Sequence, residues 1–188
     1  MSGEYRTIVA DPPWHYGKMG GGYAWRKGRP SGVTGRHMLA YGTMTVEEIA
    51  ALPVVEWAAD DAHLYMWTTQ RYLWDAPAIA RAWGFEPSKI LTWAKAPTGF
   101  SVGGAWGNSS EFVLFAKHGK PKTTARIPRD WFDWRRGEHS AKPDAFLDLV
   151  EQVSPGPYLE MFARRARFGW DYYGDESLGT AQLSEVRR

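Results

Sequence analysis

The sequence predicts a single α/β domain built on a largely parallel β-sheet with helices on both faces. Three observations carry this. Short β-rich runs alternate with helical segments along the chain. Its 188 residues suffice for one compact domain with a sizeable core and are too few for two ordinary ones. Hydrophobic residues make up 44%, a globular composition and not a disordered one. No internal repeat or domain boundary is visible. The domain is read as residues 1–176, followed by a polar tail at 177–188 that is expected to fray.

Tyr5 to Ala10 is the first strand, ended by Asp11-Pro12-Pro13, where two prolines forbid further ladder bonding. Residues 14–44 show little periodicity and much glycine, a loop length that is usually functional or mobile. Thr45-Val46-Glu47-Glu48 is a capping box that opens a short helix through Leu52. Ala62 to Thr68 reads as a buried strand, and Tyr72 to Trp83 as a helix stopped by Gly84. Glu86 to Lys95 and Glu111 to Lys117 are strands flanking a Gly-rich loop, and Arg126 to Gly137 is a polar loop bearing Trp. Pro143 to Val153 is a helix with proline at its first position and an acid in its first turn. Pro157 to Ala163 and Trp170 to Tyr173 complete the strands.

Several chemistries are excluded. With no Cys there are no disulfides, thiolate nucleophiles or Cys-ligated zinc, which fits a reducing cytoplasm. No signal peptide or bilayer-length apolar run is visible, so the chain reads as soluble and cytoplasmic, without a membrane partner. The Gly-x-x-x-x-Gly-Lys-Ser/Thr loop, the Gly-x-Ser-x-Gly elbow and the dinucleotide Gly-x-Gly-x-x-Gly are all absent. The five His residues show no metal-ligand spacing, so no metal is expected.

What remains is Asp11-Pro12-Pro13-Trp14 at the carboxyl end of a strand, the edge where open α/β sheets bind ligands. A stiff proline corner, a carboxylate and a large aromatic face suit a planar base that bears an amine. Trp14 stacks on the ring, while the Asp11 carboxylate and the Pro12 carbonyl accept the amine hydrogens. Those acceptors stabilise positive charge as it develops on nitrogen. The same tetrapeptide also reads as a strand-ending turn with a capping Asp and a packed Trp.

In family order, these segments resemble the N6-adenosine methyltransferase catalytic subunits (the MT-A-seventy family) and their short phage and bacterial relatives. Ala10-Asp11-Pro12-Pro13-Trp14 is similar to the catalytic motif, with Asp11, Pro12, Pro13 and Trp14 implied as catalytic. Leu39 to Met44 resembles the following loop, where Tyr41 borders the base, and Leu64-Tyr65-Met66-Trp67 resembles the next strand. Trp106-Gly107-Asn108-Ser109-Ser110-Glu111 resembles the second gate loop, which implies Trp106, Asn108 and Glu111 at the substrate. His139 to Asp144 and Glu160 to Arg164 resemble cofactor-binding segments. The resemblance implies S-adenosylmethionine as cofactor, held by Asp11, Lys142, Glu160, Phe162, Arg164, Asp175 and Glu176. It also implies a Rossmann-like methyltransferase fold with permuted motif order, the catalytic strand N-terminal and the cofactor strand C-terminal. Where the family has Gly-Asn-Gln/Glu, this chain has Gly174-Asp175-Glu176, and Arg165, Ala166 and Arg167 replace the animal enzymes' His-Asn pair.

The residues agree with this on their own terms. Lys142 precedes a helix N-terminus, where the macrodipole disfavours a cation, which points to an anionic ligand group; the alternative is a side chain reaching into solvent. Glu160, inside an apolar strand, needs a partner, either ribose hydroxyls or Arg164. Basic residues interleaved with Trp25, Trp131 and Trp134 read as a nucleic-acid surface, with Arg26, Lys27 and Arg29 in one loop and Arg126, Arg129, Arg135 and Arg136 in another; the alternative for each is a solvated loop pinned by a Trp.

The expected function is methylation of the adenine N6 amine in nucleic acid, DNA over RNA. The rivals are a catalytically silent partner subunit and an amino-methyltransferase of cytosine N4 or a protein amide. Silent partners in the family typically lack the Asp, and the other enzymes commonly carry Ser/Asn-Pro-Pro-Tyr. A domain this small without a recognition domain points to a homodimer that completes the groove.

Overall fold

The structure, a computed structural model, describes residues 3–16, 42–95, 105–135, 142–163 and 166–173. In chain order the elements are β1 (Tyr5–Ala10), α1 (Val46–Ala50), α2 (Val54–Trp57), β2 (Ala58–Thr68), α3 (Ala76–Ala82), β3 (Glu86–Ala94), β4 (Ser110–His118), β5 (Trp131–Phe132), α4 (Asp144–Val153), β6 (Tyr158–Met161) and β7 (Trp170–Tyr173). The strands form one sheet in the order β5-β3-β4-β2-β1-β6-β7. Six share one direction. β4 alone runs against its neighbours β2 and β3. The sheet is therefore largely parallel, as expected, with one reversed strand. β3 ends and β4 begins at the same edge, so that connection needs no crossover.

Alternation along the strands divides the core in two. Ile8, Ala10, Leu64, Met66, Leu114, Leu159 and Met161 pack on one face with Ile49 of α1, Val54 of α2 and Ile79 of α3. Val9, Tyr65, Trp67, Trp93 and Val113 pack on the other, under Phe146 and Val150 of α4, which are four residues apart and so share one side of the helix. Arg167 ties the outside of α4 to the approach to β7, donating from Nε to Glu151 at 2.8 Å and from Nη2 to Asp148 at 2.6 Å.

Local chemistry sets the boundaries. Thr45 caps α1 as expected: its hydroxyl accepts from the Glu48 N–H at 3.2 Å, and Glu48 accepts from the Thr45 N–H at 2.8 Å. The helix expected from Tyr72 starts only at Ala76. Pro77 has no N–H to donate and fits only in a first turn, so residues 70–75 form turns instead. Gly84 ends α3 at φ +79, as its identity predicts. No helix among the described residues is long and apolar enough to cross a membrane.

His63 is fully buried in β2, between Thr7 of β1 and Lys117 of β4, with its ring 5.2 Å from Phe115. Neither ring nitrogen has a hydrogen-bond partner among the described residues. Burial pushes its pKa down to about 4, and the positive charges of Lys117 and Arg6 push the same way. The unfolded chain therefore binds the proton more readily than the folded one. Stability is complete above about pH 6.5 and is lost as the pH falls toward 4, by up to about 3 kcal/mol. Glu111 and Glu151 are both held below the ordinary value of 4.5, so their contributions are lost only as the pH falls below that value. A melting temperature that falls between pH 6.5 and 4.5 is thus expected, and His63→Leu should flatten the curve there. An equally steep curve in the variant contradicts this account.

Candidate active site

The sheet order diverges at β1. The chain passes from β1 to β2 on one side, while β6 passes to β7 on the other, so the carboxyl ends of β1 and β6 flank a switch-point crevice. The Asp11 N–H donates to the Met161 carbonyl at 3.3 Å, the last bond before the two segments part. Phe162 then leaves β6 at φ +62, its N–H donating to the Tyr173 carbonyl. A left-handed non-glycine residue costs roughly 1–3 kcal/mol and persists where its surroundings over-determine it.

Four charged side chains of alternating sign meet at this edge. Lys142 Nζ, just before α4, donates to both Asp11 carboxylate oxygens at 2.8 Å. It also lies 3.5 Å from Glu111 Oε2, at the start of β4. Glu111 accepts in turn from Lys95, which follows β3. Their exposures of 15–23% make solvent a weak substitute for these partners. Burial raises the Glu111 pKa, but the charge of Lys142 and the hydrogen bond and charge of Lys95 more than offset it, leaving the carboxyl below its ordinary value. Lys142 therefore has anionic partners, as its position before a helix demanded, and those in the structure belong to the protein. Its ammonium also lies 5.1 Å from the Trp67 ring centroid.

The proline corner differs from expectation. The Pro12 carbonyl accepts from the Trp14 N–H at 2.8 Å, and the Pro13 carbonyl from the Met44 N–H at 2.8 Å. Buried carbonyls are rarely left unpaired, so only a second lone pair on Pro12 is available to an amine. Trp14 is 4% exposed, stacked on Tyr72 at 4.7 Å, and donates from Nε1 to the Trp67 carbonyl at 3.2 Å. Its ring is packed in the core and does not offer an open face to a base, so its expected stacking role is corrected. Trp14→Ala should accordingly cost about 3–5 kcal/mol in stability. Chemical denaturation measures this, and a cost below about 1 kcal/mol contradicts the packing role.

Asp11, Glu111 and Lys142 are brought together. Glu160 and Phe162 stand on the β6 side of the crevice, while Trp106, 86% exposed, and Asn108 lie on the approach to β4 at the same edge. Arg135 is exposed just beyond β5. Arg126 and Arg129 are not at this edge; they line a cleft further down the α4 side of the sheet. Tyr41, Arg164, Asp175, Glu176, Arg26, Lys27, Arg29 and Arg136, with the tail, lie outside the described residues.

Two residues were missed. Lys95 could have been found as a cation directly after a strand that ends at the carboxylate edge. Tyr72 had no such signal: its hydroxyl donates to the His15 carbonyl and its ring supports Trp14, both products of tertiary packing.

A seven-stranded sheet with one reversed strand, and a switch-point crevice joining the first strand to the sixth, define a Rossmann-like methyltransferase domain with permuted order. The chain belongs to the MT-A70 family, whose model matches residues 5–176. It is similar to the type II methyltransferase M.MunI of Mycoplasma sp, 34% identical over 92% of this chain and 78% of that protein. It is also similar to a probable N(6)-adenosine-methyltransferase MT-A70-like of Oryza sativa subsp. japonica, 29% identical over 99% of this chain and 25% of the rice protein. A third relative is the N6-methyladenosine RNA methyltransferase MTA1 of Cryphonectria parasitica, 29% identical over 93% of this chain and 52% of that protein.

Proposed function

We propose that the protein transfers a methyl group from S-adenosylmethionine to the exocyclic N6 amine of adenine in nucleic acid, DNA in preference to RNA. The observation that carries this is the Asp11 carboxylate, fixed by Lys142 at the crevice between β1 and β6 within the Asp-Pro-Pro-Trp segment. The crevice residues fit the cofactor: Lys142 suits its carboxylate, Glu160 its hydroxyls, and the paired rings of Phe162 and Tyr173 (6.4 Å apart) its adenosine portion. Bound there, S-adenosylmethionine supplies an electrophilic methyl group.

A carboxylate offers about four lone-pair directions, so Asp11 can hold Lys142 and still accept from the target amine. That acceptance stabilises the amine as it becomes cationic. Glu111, tied by two lysines, adds a second fixed negative charge at the same edge. The chain matches the type II methyltransferase along most of both lengths, but the relatives named for adenosine or RNA along only a quarter to a half of theirs, which favours DNA.

The test is to incubate the protein with S-adenosylmethionine and oligonucleotides, digest to nucleosides and weigh the product. N6-methyldeoxyadenosine is expected; N4-methylcytosine, or no methylated base, overturns the reading. An unpaired or mismatched adenine should react faster than a paired one, because extrusion costs a few kcal/mol. Initial rates at fixed salt decide this, with a clear preference for matched duplex as the contrary result.

A further inference from the structure

Below the acidic edge, on the α4 side of the sheet, a cleft of about 580 Å3 opens beneath the segment 123–130. Tyr65, Leu91, Phe115 and Phe132 from the strands, with Leu149 and Val153 from α4, give it an apolar, aromatic floor. The rim is basic: Lys89, Arg126 and Arg129 stand against one acid, Asp130, which pairs with Lys89 at 3.5 Å. The overlying segment is tied at both ends, by Thr124 N–H to the Val153 carbonyl and by Thr92 N–H to the Asp130 carbonyl, each at 2.8 Å. The wall is therefore preformed. The Arg129 guanidinium lies over the rings of Phe132 and Trp131, at 5.5 and 5.7 Å.

A row of packed aromatic side chains links the cleft to the acidic edge. Phe132 stacks on Trp134 at 4.3 Å, and the Trp134 carbonyl accepts from Trp93 Nε1 at 2.8 Å. Trp93 meets Trp67 edge-on at 5.9 Å, and Lys142 overlies Trp67. Along β3, Leu91 lies four residues before Lys95, about 13 Å at the usual strand rise. That is about four nucleotides of a stacked strand, and fewer of an extended one. The volume falls in the range of small-ligand sites. Aromatic walls accept the flat face of any base, and guanidinium groups suit a phosphate.

We propose that this cleft is a second nucleotide-binding subsite, taking a base of the bound strand on its aromatic floor and the adjoining phosphate on Arg126 and Arg129. This rests on the nucleic-acid reading above and extends it to a flanking nucleotide, which gives the enzyme a means of sequence selection away from the target adenine.

The probe is an oligothymidylate of about 15 nucleotides with one central adenine, used beside a trinucleotide with adenine at its centre, whose single flanking residue on either side spans less than about 13 Å even when extended. Leu149→Trp fills the open space, and Arg126→Ser/Arg129→Ser removes two exposed cations; melting curves confirm that both variants are folded. KM for the long probe should rise roughly tenfold in both, while Leu149→Trp leaves the trinucleotide's KM unchanged. In the wild-type protein, an abasic residue at one position flanking the adenine should reproduce the loss, and in Leu149→Trp that position should no longer matter. Wild-type KM in both variants overturns the proposal, as does an abasic penalty that persists with the cleft filled. Calorimetric binding of thymidine monophosphate, with strand KM untouched by the variants, replaces it with a free-nucleotide site. If the wild-type protein methylates no adenine, the proposed function fails. Fluorescence anisotropy of the same oligonucleotides needs no turnover and still decides the cleft.

Discussion

Asp11→Ala should lower kcat for methyl transfer by roughly 10²–10³-fold while S-adenosylmethionine binds with nearly unchanged affinity. In the proposed reaction the carboxylate acts on the target amine as charge develops, and removing one fixed group of this kind typically costs that much. The β1 backbone that flanks the crevice is held by the Asp11 N–H bond to Met161, which alanine keeps. Lys142 also retains Glu111 as a partner, so the edge is not left with a lone cation. Tritium transfer measures the first half and calorimetric titration of the cofactor the second. Normal turnover in the variant removes Asp11 from the chemistry, and a collapse of cofactor affinity assigns it to binding instead.

Lys142→Met should lower kcat/KM by about 10²-fold and move the acid limb of the pH–rate profile toward neutrality. In the native site Lys142 separates two carboxylates, on Asp11 and Glu111. Without it Glu111 keeps Lys95 as the one remaining cation of the four-charge group, with another carboxylate beside it. The Glu111 pKa rises because its largest counteracting influence, the charge of Lys142, is gone. Lys95→Met should move the same limb in the same direction by less, because it leaves Lys142 in place. Profiles that superimpose on the wild-type curve contradict the coupled arrangement, whatever happens to the overall rate.

Much of the fold was legible because its signals are local. β1 and β7 lie at their expected positions, and α1 begins at its capping box. The two-residue β5 was not visible, since nothing about Trp131-Phe132 marks a strand until Thr92 and Trp93 lie beside it. Nor was the direction of β4: an apolar run buried on both faces reads the same either way. β2 begins four residues early because Asp60 and Asp61 sit exposed at its start, where polarity hides an extended backbone. At the site, Asp11, Glu111 and Lys142 carry chemistry in their residue types. Trp14 misled because an indole beside a carboxylate suits a stacking platform and a core plug equally well, and only the arrival of Tyr72 decides between them.

The pairing of β1 with β6 sets a timetable for the molecule. Thr7 lies opposite Tyr158 and Val9 opposite Glu160, so β1 waits for a neighbour about 150 residues later in synthesis. Contacts of such long sequence separation slow folding, because the loop entropy is lost before the pairing rewards it. A nascent chain can assemble β1 to β4 early, yet it has no crevice for a cofactor until β6 emerges from the ribosome. Methyl-transfer competence should therefore appear late and abruptly during translation, and a growing chain with Asp11 already in place has no second wall against which to use it.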